Sequence, residues 1–254
     1  MGDNKVNIAG ESAEVQFVID FNLGKFSSFV KNFYPTTSQI FAVRVTSHQF
    51  SATSQKLVKP KADAYLVTIE GIKKSDLKNF DYFLDEGNLS EFKYVVVPSS
   101  GVSIKKPDSS RYQIHKFPVT SFLEVFNDAC LGAGAMMYLK EEKMQDNEII
   151  RRHWGVSHQE FCTYFSRKLN LDLHSVDKSL IAIQRYCLNE IKEQIVRDES
   201  IRNLVFSGEG VFASPYFARY EYIASRLGLL QFRDFSVTQG SGRTDNPTIV
   251  VKPG

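Results

Sequence analysis

The sequence predicts an α/β protein in which a mixed central β-sheet is flanked by helices and followed by a largely helical C-terminal half. Three observations carry this expectation. Short runs rich in β-branched and aromatic residues lie at 40–46, 62–70 and 93–107, behind an amphipathic opening stretch. After Pro118 apolar residues recur at three- and four-residue steps, the period of a helix with one buried face. Two further β-type runs, FSVTQ and TIVVK, close the chain.

Residues 10–33 begin GESAEVQFVIDFNLGKFSSFV, with Val15, Val18, Ile19 and Leu23 near helical spacing and Ser12 as a cap, so an amphipathic helix comes first. IFAVRVT and ADAYLVTIE read as strands, and the polar stretch between them, SATSQKLVKPK, reads as a loop. The charged segment KKSDLKNFDYFLDEGNLSEF leads into KYVVVPSSGVSIKKP, read as strand, turn at Pro98–Gly101, strand. VTSFLEVFNDACLGAGAMMYLKEEK and most of 157–230 read as helical. In SLIAIQRYCLNEIKEQIV the residues Leu180, Ile183 or Gln184, Cys187, Ile191 and Ile195 fall near one stripe. On PYFARYEYIASRLGLL the stripe Tyr216, Tyr220, Ile223 and Leu227 reads as core. The Gly-x-Gly of LGAGAMMYL follows no clear strand and lacks a third glycine, so it reads as close helix packing and not as a dinucleotide loop. FSVTQ and TIVVK read as two short strands around the loop GSGRTDNP. The expected division is an α/β core over 1–128 and a largely helical part over 129–254, packed as one compact unit with that core.

Composition bounds what such a fold can do. The 254 residues carry 31 Lys and Arg against 29 Asp and Glu, a formal charge of +2, with 43% apolar and 13% aromatic residues. Collagen-like, disordered and disulfide-framework classes are excluded, and a core can form without metal or disulfide staples. The three cysteines, Cys130, Cys162 and Cys187, are odd in number and far apart, which suits free thiols in a reducing cytoplasm. No stretch approaches the roughly 20 apolar residues of a membrane helix, so no membrane partner is expected. Charge is segregated: acids concentrate at 81–91, and bases gather at 56–61 and 105–116.

The most informative residues are Asp63, at the start of one strand, and Ser103-Ile104-Lys105 in a later one. Side chains alternate along a strand, so Ser103 and Lys105 share a face about 6.6 Å apart while Val102 and Ile104 point the other way. Pairing of the two strands brings a carboxylate, a hydroxyl and an ammonium to one sheet edge. Phosphodiester hydrolysis uses such a group: oxygen ligands for a hard divalent cation, and a fixed positive charge near the attacking water and the phosphorane.

In these residues the chain resembles the PD-(D/E)XK nuclease superfamily, type II restriction endonucleases in particular. Ala62-Asp63 stands for the proline-aspartate element, Ser103-Ile104-Lys105 for the element ending in lysine, and Gly10 to Glu14 for the acidic first helix. The resemblance spans roughly residues 10–126 and implies a restriction-endonuclease-like core. It also implies Mg²⁺ as cofactor, double-stranded DNA as substrate and a cognate DNA methyltransferase as functional partner. Carried over, Asp63 binds the metal, Lys105 orients the attacking water and Glu14 assists. Ser103 stands where the family pattern has a second carboxylate. Glu124, in the predicted helix FLEVF, is the expected substitute, and Glu124 or Glu14 is expected to join Asp63 in holding the metal.

The basic segment after Lys105 supplies the expected DNA contacts Lys106, Arg111, His115 and Lys116, and the loop between the last two strands supplies Gln239 and Arg243. Palindromic sites favour a two-fold homodimer. Two other readings stay open, a non-catalytic DNA-binding protein and a repair nuclease of the same fold. His158 and Cys162, four apart on a predicted helix, could share a zinc only with two further ligands.

Overall fold

The computed structural model describes residues 3–35, 38–105 and 113–254, without the side chains of residues 3–11 and 74. Its contacts divide the chain into two units, 1–109 with 207–232 and 110–206 with 233–254.

In the first unit, helix α1 (Asp3–Asn22) is followed by α2 (Ser27–Phe33), so the single helix expected over 10–33 is two, with a turn between them. Strand β1 (Ile40–Arg44) comes next, then the small hairpin β2 (Gln49–Ser51) and β3 (Lys56–Val58), then β4 (Ala64–Ile69). The hairpin corrects the expected loop. Phe50 and Leu57 are exposed in it, so it shows no inward-outward alternation for a sequence reading to detect. The charged segment forms a 3-10 turn and a short helix, α3 (Glu86–Leu89), and leads to β5 (Tyr94–Val96) and β6 (Val102–Lys105). β5 and β6 do not pair with each other. Both run antiparallel along one side of β4, with Val67 opposite Val96 and Ala64 opposite Val102. The Pro98–Gly101 turn therefore links two strands that share one partner, and within it the buried Ser100 Oγ accepts the N–H of Leu66 at 3.0 Å.

Helix was expected through residue 230, but the chain there forms β8 (Tyr220–Ile223) and β9 (Arg226–Leu229). They are joined through Ala224 and Ser225 at φ 47° and 62°. Such a turn usually announces itself with Gly or Asn, and neither is present. The spacing of Tyr216, Tyr220, Ile223 and Leu227 mimicked a helical stripe; the working pattern is alternation, with Tyr220 and Tyr222 turned into the core and Glu221 between them. β8 runs parallel to β6, which completes the order β1-β4-β6-β8-β9.

The sheet has a filled layer on each face. Ile40, Ala42, Ala64, Leu66, Val102 and Tyr220 pack against Phe17, Val18 and Phe21 of α1. On the other face Phe41, Val43, Tyr65, Val67 and Ile69 meet Leu77, Leu84 and Leu89. Asn22 docks the end of α1 on β1: its side chain accepts from Ala42 N at 2.8 Å and donates to Ala42 O at 3.1 Å.

In the second unit, β7 (His115–Pro118), β10 (Phe235–Gln239) and β11 (Thr248–Pro253) form an antiparallel sheet in the order β10-β11-β7. Among the described residues six helices accompany it: α4 (Val119–Phe126), α5 (Ala129–Met136), α6 (Asn147–His153), α7 (His158–Leu169), α8 (Leu180–Arg197) and α9 (Glu199–Ser207). The α8 stripe is the predicted one, with Leu180, Ile183, Cys187, Ile191 and Ile195 buried. The Gly-x-Gly serves close packing as expected: a Cβ at Gly134 would lie 2.5 Å from Cys187 Sγ and 2.6 Å from the Phe165 ring. The α/β class with a mixed sheet holds, but the expected boundary at 128 does not coincide with the two units. Pairing of β7 with β11 draws 115–118 into the second unit, and pairing of β8 with β6 returns 220–223 to the first. Among the described residues no helix is long and apolar enough to cross a membrane.

Candidate active site

Asp63 sits one residue before β4, in backbone held from two sides. Its N–H donates to Val102 O at 2.8 Å, and its carbonyl accepts the N–H of Val45 at 3.0 Å. The half-buried carboxylate then turns to β6. Oδ2 accepts the N–H of Ile104 at 2.7 Å and lies 3.5 Å from the hydroxyl of Ser103. The strand that carries Ser103 and Lys105 is thus tied to Asp63 by main chain and side chain together.

Glu14 reaches the same place from α1. It stands on the stripe Glu14, Phe17, Val18, Phe21, at the i, i+3, i+4, i+7 spacing of a core face, and is itself buried. A carboxylate there must be paired. It accepts from Arg44 Nε at 2.9 Å, and Oε1 accepts from Lys59 Nζ at 3.2 Å. Lys59 Nζ also lies 3.8 Å from Asp63 Oδ1, so one ammonium is shared by Glu14 and Asp63.

The electrostatics follow from this crowding. Burial pushes the Asp63 carboxyl above its usual range, with the Lys105 ammonium and the Ile104 N–H opposing and Glu14 adding to the rise. Burial, helped by Lys105 and opposed by Asp63, lowers the Lys61 ammonium to about 7. Lys105 is thus close enough to act on both. Ser103 is buried, and directly opposite it in the parallel β6–β8 register lies Glu221, also buried. Because Val102, Ile104, Tyr220 and Tyr222 pack toward α1, alternation puts Ser103, Lys105 and Glu221 on the other face of the sheet.

No protein-family model, curated protein or solved structure matches this chain.

Of the residues expected from the sequence, the fold brings together Asp63, Ser103, Lys105 and Glu14. Glu124 is exposed on α4, within the second unit, because the helix that carries it follows β7 and not β6. Lys106 and Arg111 lie outside the described residues. His115 and Lys116 fall in strand β7; the His115 ring rests 4.3 Å from that of Phe117, and Lys116 is exposed. Gln239 and Arg243 have internal roles. Gln239 Nε2 donates to Ala135 O at 2.9 Å. Arg243 donates to Met137 O at 3.1 Å and lies 4.6 Å from the centre of the Tyr138 ring. These donors satisfy carbonyls at the end of α5, which a helix terminus leaves without intrahelical partners.

Four members of the cluster were missed individually: Arg44, Lys59, Lys61 and Glu221. The bases at 56–61 were visible as a run, and their place beside Asp63 was the signal. Glu221 was hidden by the helical reading of its segment.

Asp63 and Glu14 are hard oxygen donors that already share a cation, which is the donor chemistry Mg²⁺ takes with one or two carboxylates and the substrate phosphate. The residues present therefore fit such an ion. The basic side chains Arg44, Lys59, Lys61 and Lys105 thus stand among the acids Glu14, Asp63 and Glu221, with the Lys61 charge weakened by burial.

Proposed function

We propose that this chain is a Mg²⁺-dependent endonuclease that hydrolyses phosphodiesters of double-stranded DNA at specific sequences, in the manner of PD-(D/E)XK restriction enzymes. One observation carries the reading: Asp63 bonded to the Ser103–Lys105 strand, with Glu14 beside it across the shared Lys59 ammonium. Acidic helix, strand preceded by the aspartate and strand ending in the lysine follow in the order the resemblance implies.

Asp63 and Glu14 would hold the ion, which supplies charge neutralisation on the phosphate and a more acidic water. Lys105 acts electrostatically on Asp63 and would orient the attacking water. Ser103 ties its strand to Asp63 but contributes no carboxylate, and Glu221, its register partner on β8, supplies the missing one. Arg44 and Lys59 neutralise Glu14 before substrate arrives. In-line attack leaves 5′-phosphate and 3′-hydroxyl ends.

Incubation of the protein with a sequenced plasmid in Mg²⁺, with an EDTA control and mapped ends, tests the reading. Discrete fragments with a common end sequence, lost in EDTA and in Lys105→Ala, are expected. Cutting only at junctions or free ends would instead indicate a repair nuclease, and DNA binding without any cutting a non-catalytic binder; either outcome overturns the proposal.

A further inference from the structure

In the second unit, His158 and Cys162 stand one turn apart on α7, and Asp177 opens the 3-10 turn Asp177–Ser179 that precedes α8. The turn is well anchored. Val176, just before Asp177, is fully buried, and Ser179 donates to Ser175 O at 2.8 Å. The three side chains converge on one point. His158 Nε2 lies 3.0 and 3.2 Å from the two Asp177 oxygens and 3.5 Å from Cys162 Sγ.

The convergence uses a single ring nitrogen. A histidine that relays a proton between a carboxylate and a thiol faces them with its two different nitrogens, whereas here Nε2 faces both. That is the arrangement of ligands around a common centre. Zinc bonds of about 2.3 Å to sulfur and 2.0–2.1 Å to nitrogen at a tetrahedral angle place S and N about 3.5 Å apart. The Cys162–His158 separation of 3.5 Å meets that edge without any movement. All three ligand atoms lie within 4.8 Å of one another.

We infer that His158, Cys162 and Asp177 form a zinc site whose fourth position is open to water or another small donor. Sulfur and nitrogen ligands select a borderline-soft transition metal over the hard Mg²⁺ expected at Asp63. The bound ion ties the start of α7 to the turn before α8.

The test is calorimetric titration of EDTA-stripped protein with zinc chloride in excess Mg²⁺, so that oxygen-only sites are already filled. Wild type is expected to take up one zinc per chain. His158→Ala, Asp177→Asn and Cys162→Ser should each weaken binding at least about tenfold, the scale on which metal affinity answers to local changes, while Asp63→Asn and Cys130→Ser leave it unchanged. The His158 and Asp177 side chains are each 55% exposed, so their variants keep the fold even if the buried Cys162 variant does not. Cobalt in place of zinc should show thiolate charge-transfer absorption in wild type. Absence of stoichiometric zinc binding, or binding that His158→Ala and Asp177→Asn both retain, overturns the site.

Discussion

The Asp63 carboxylate accepts the main-chain N–H of Ile104 at 2.7 Å, which fixes that side chain to the middle of the strand that carries Lys105. Asparagine keeps an oxygen for that hydrogen bond and loses only the charge. Asp63→Asn should therefore fold normally and lose the ability to hold a divalent cation. Cleavage of supercoiled plasmid in Mg²⁺ should fall at least about a hundredfold, the scale of removing one electrostatic contact to a transition state. Melting temperatures measured in parallel should match; a variant that cuts normally removes Asp63 from the site.

Glu221 and Glu124 make opposite predictions. The first is buried opposite Ser103, and the second is exposed on α4 in the other unit. Glu221→Gln should lower cleavage by about 10- to 100-fold, the cost of losing a group that supports a metal site. Glu124→Ala should stay within about twofold of wild type, as surface substitutions do. The reverse pattern in a nicking assay would restore Glu124 as the second carboxylate.

What could be read beforehand, and what could not, follows from the range of each signal. Asp63, Ser103 and Lys105 were legible because alternation over a few residues decides which side chains share a strand face. Glu14 was legible as an acid in the first helix. Glu221 was not, since its place depends on a parallel pairing with β6 across more than a hundred residues, and its hairpin turns through Ala224 and Ser225 without glycine or asparagine. Glu124 was assigned on the assumption that the helix after Lys105 packs beside that strand. The pairing of β7 with β11 places it in the other unit instead. Gln239 and Arg243 looked like DNA contacts because they flank a glycine-containing loop from which such side chains can reach bases or phosphates, and here carbonyls at the end of α5 accept from them.

Gly101 marks the entry to β6. A Cβ there would meet Phe217 O at 2.0 Å and Pro215 O at 2.4 Å, both main-chain atoms that cannot swing aside. Gly101→Ala should destabilise the protein by about 3 kcal/mol, the upper part of the range for overpacking. Urea denaturation should show the midpoint falling at unchanged slope; an unaltered midpoint would mean that the 215–217 segment yields freely.

Arg243 should matter for stability and not for DNA. Its bond to Met137 O and its position over Tyr138 predict a loss of about 2 kcal/mol in Arg243→Ala. The salt dependence of DNA affinity should be unchanged, because a guanidinium spent on a carbonyl neutralises no phosphate. A salt slope reduced by about one would instead assign Arg243 to the backbone of the DNA.

Acid should loosen the start of α9 through Asp198. One oxygen of that carboxylate accepts from Ser200 Oγ at 2.6 Å, Ser200 N at 2.8 Å and Ile201 N at 3.2 Å. The Ser200 hydroxyl foremost, then the Ile201 and Ser200 amides, hold the carboxyl below its usual range. A group whose folded value is depressed stabilises the fold above the unfolded value of about 3.9 and loses that contribution as pH falls through the depressed value. Asp198→Asn can still cap the helix but cannot titrate. Wild type should therefore be the more stable of the two near pH 6, with the gap unchanged down to about pH 4 and narrowing from there toward about pH 2. Paired thermal melts across that interval measure it, and a gap that stays constant would show that the Asp198 charge contributes nothing to holding the helix start.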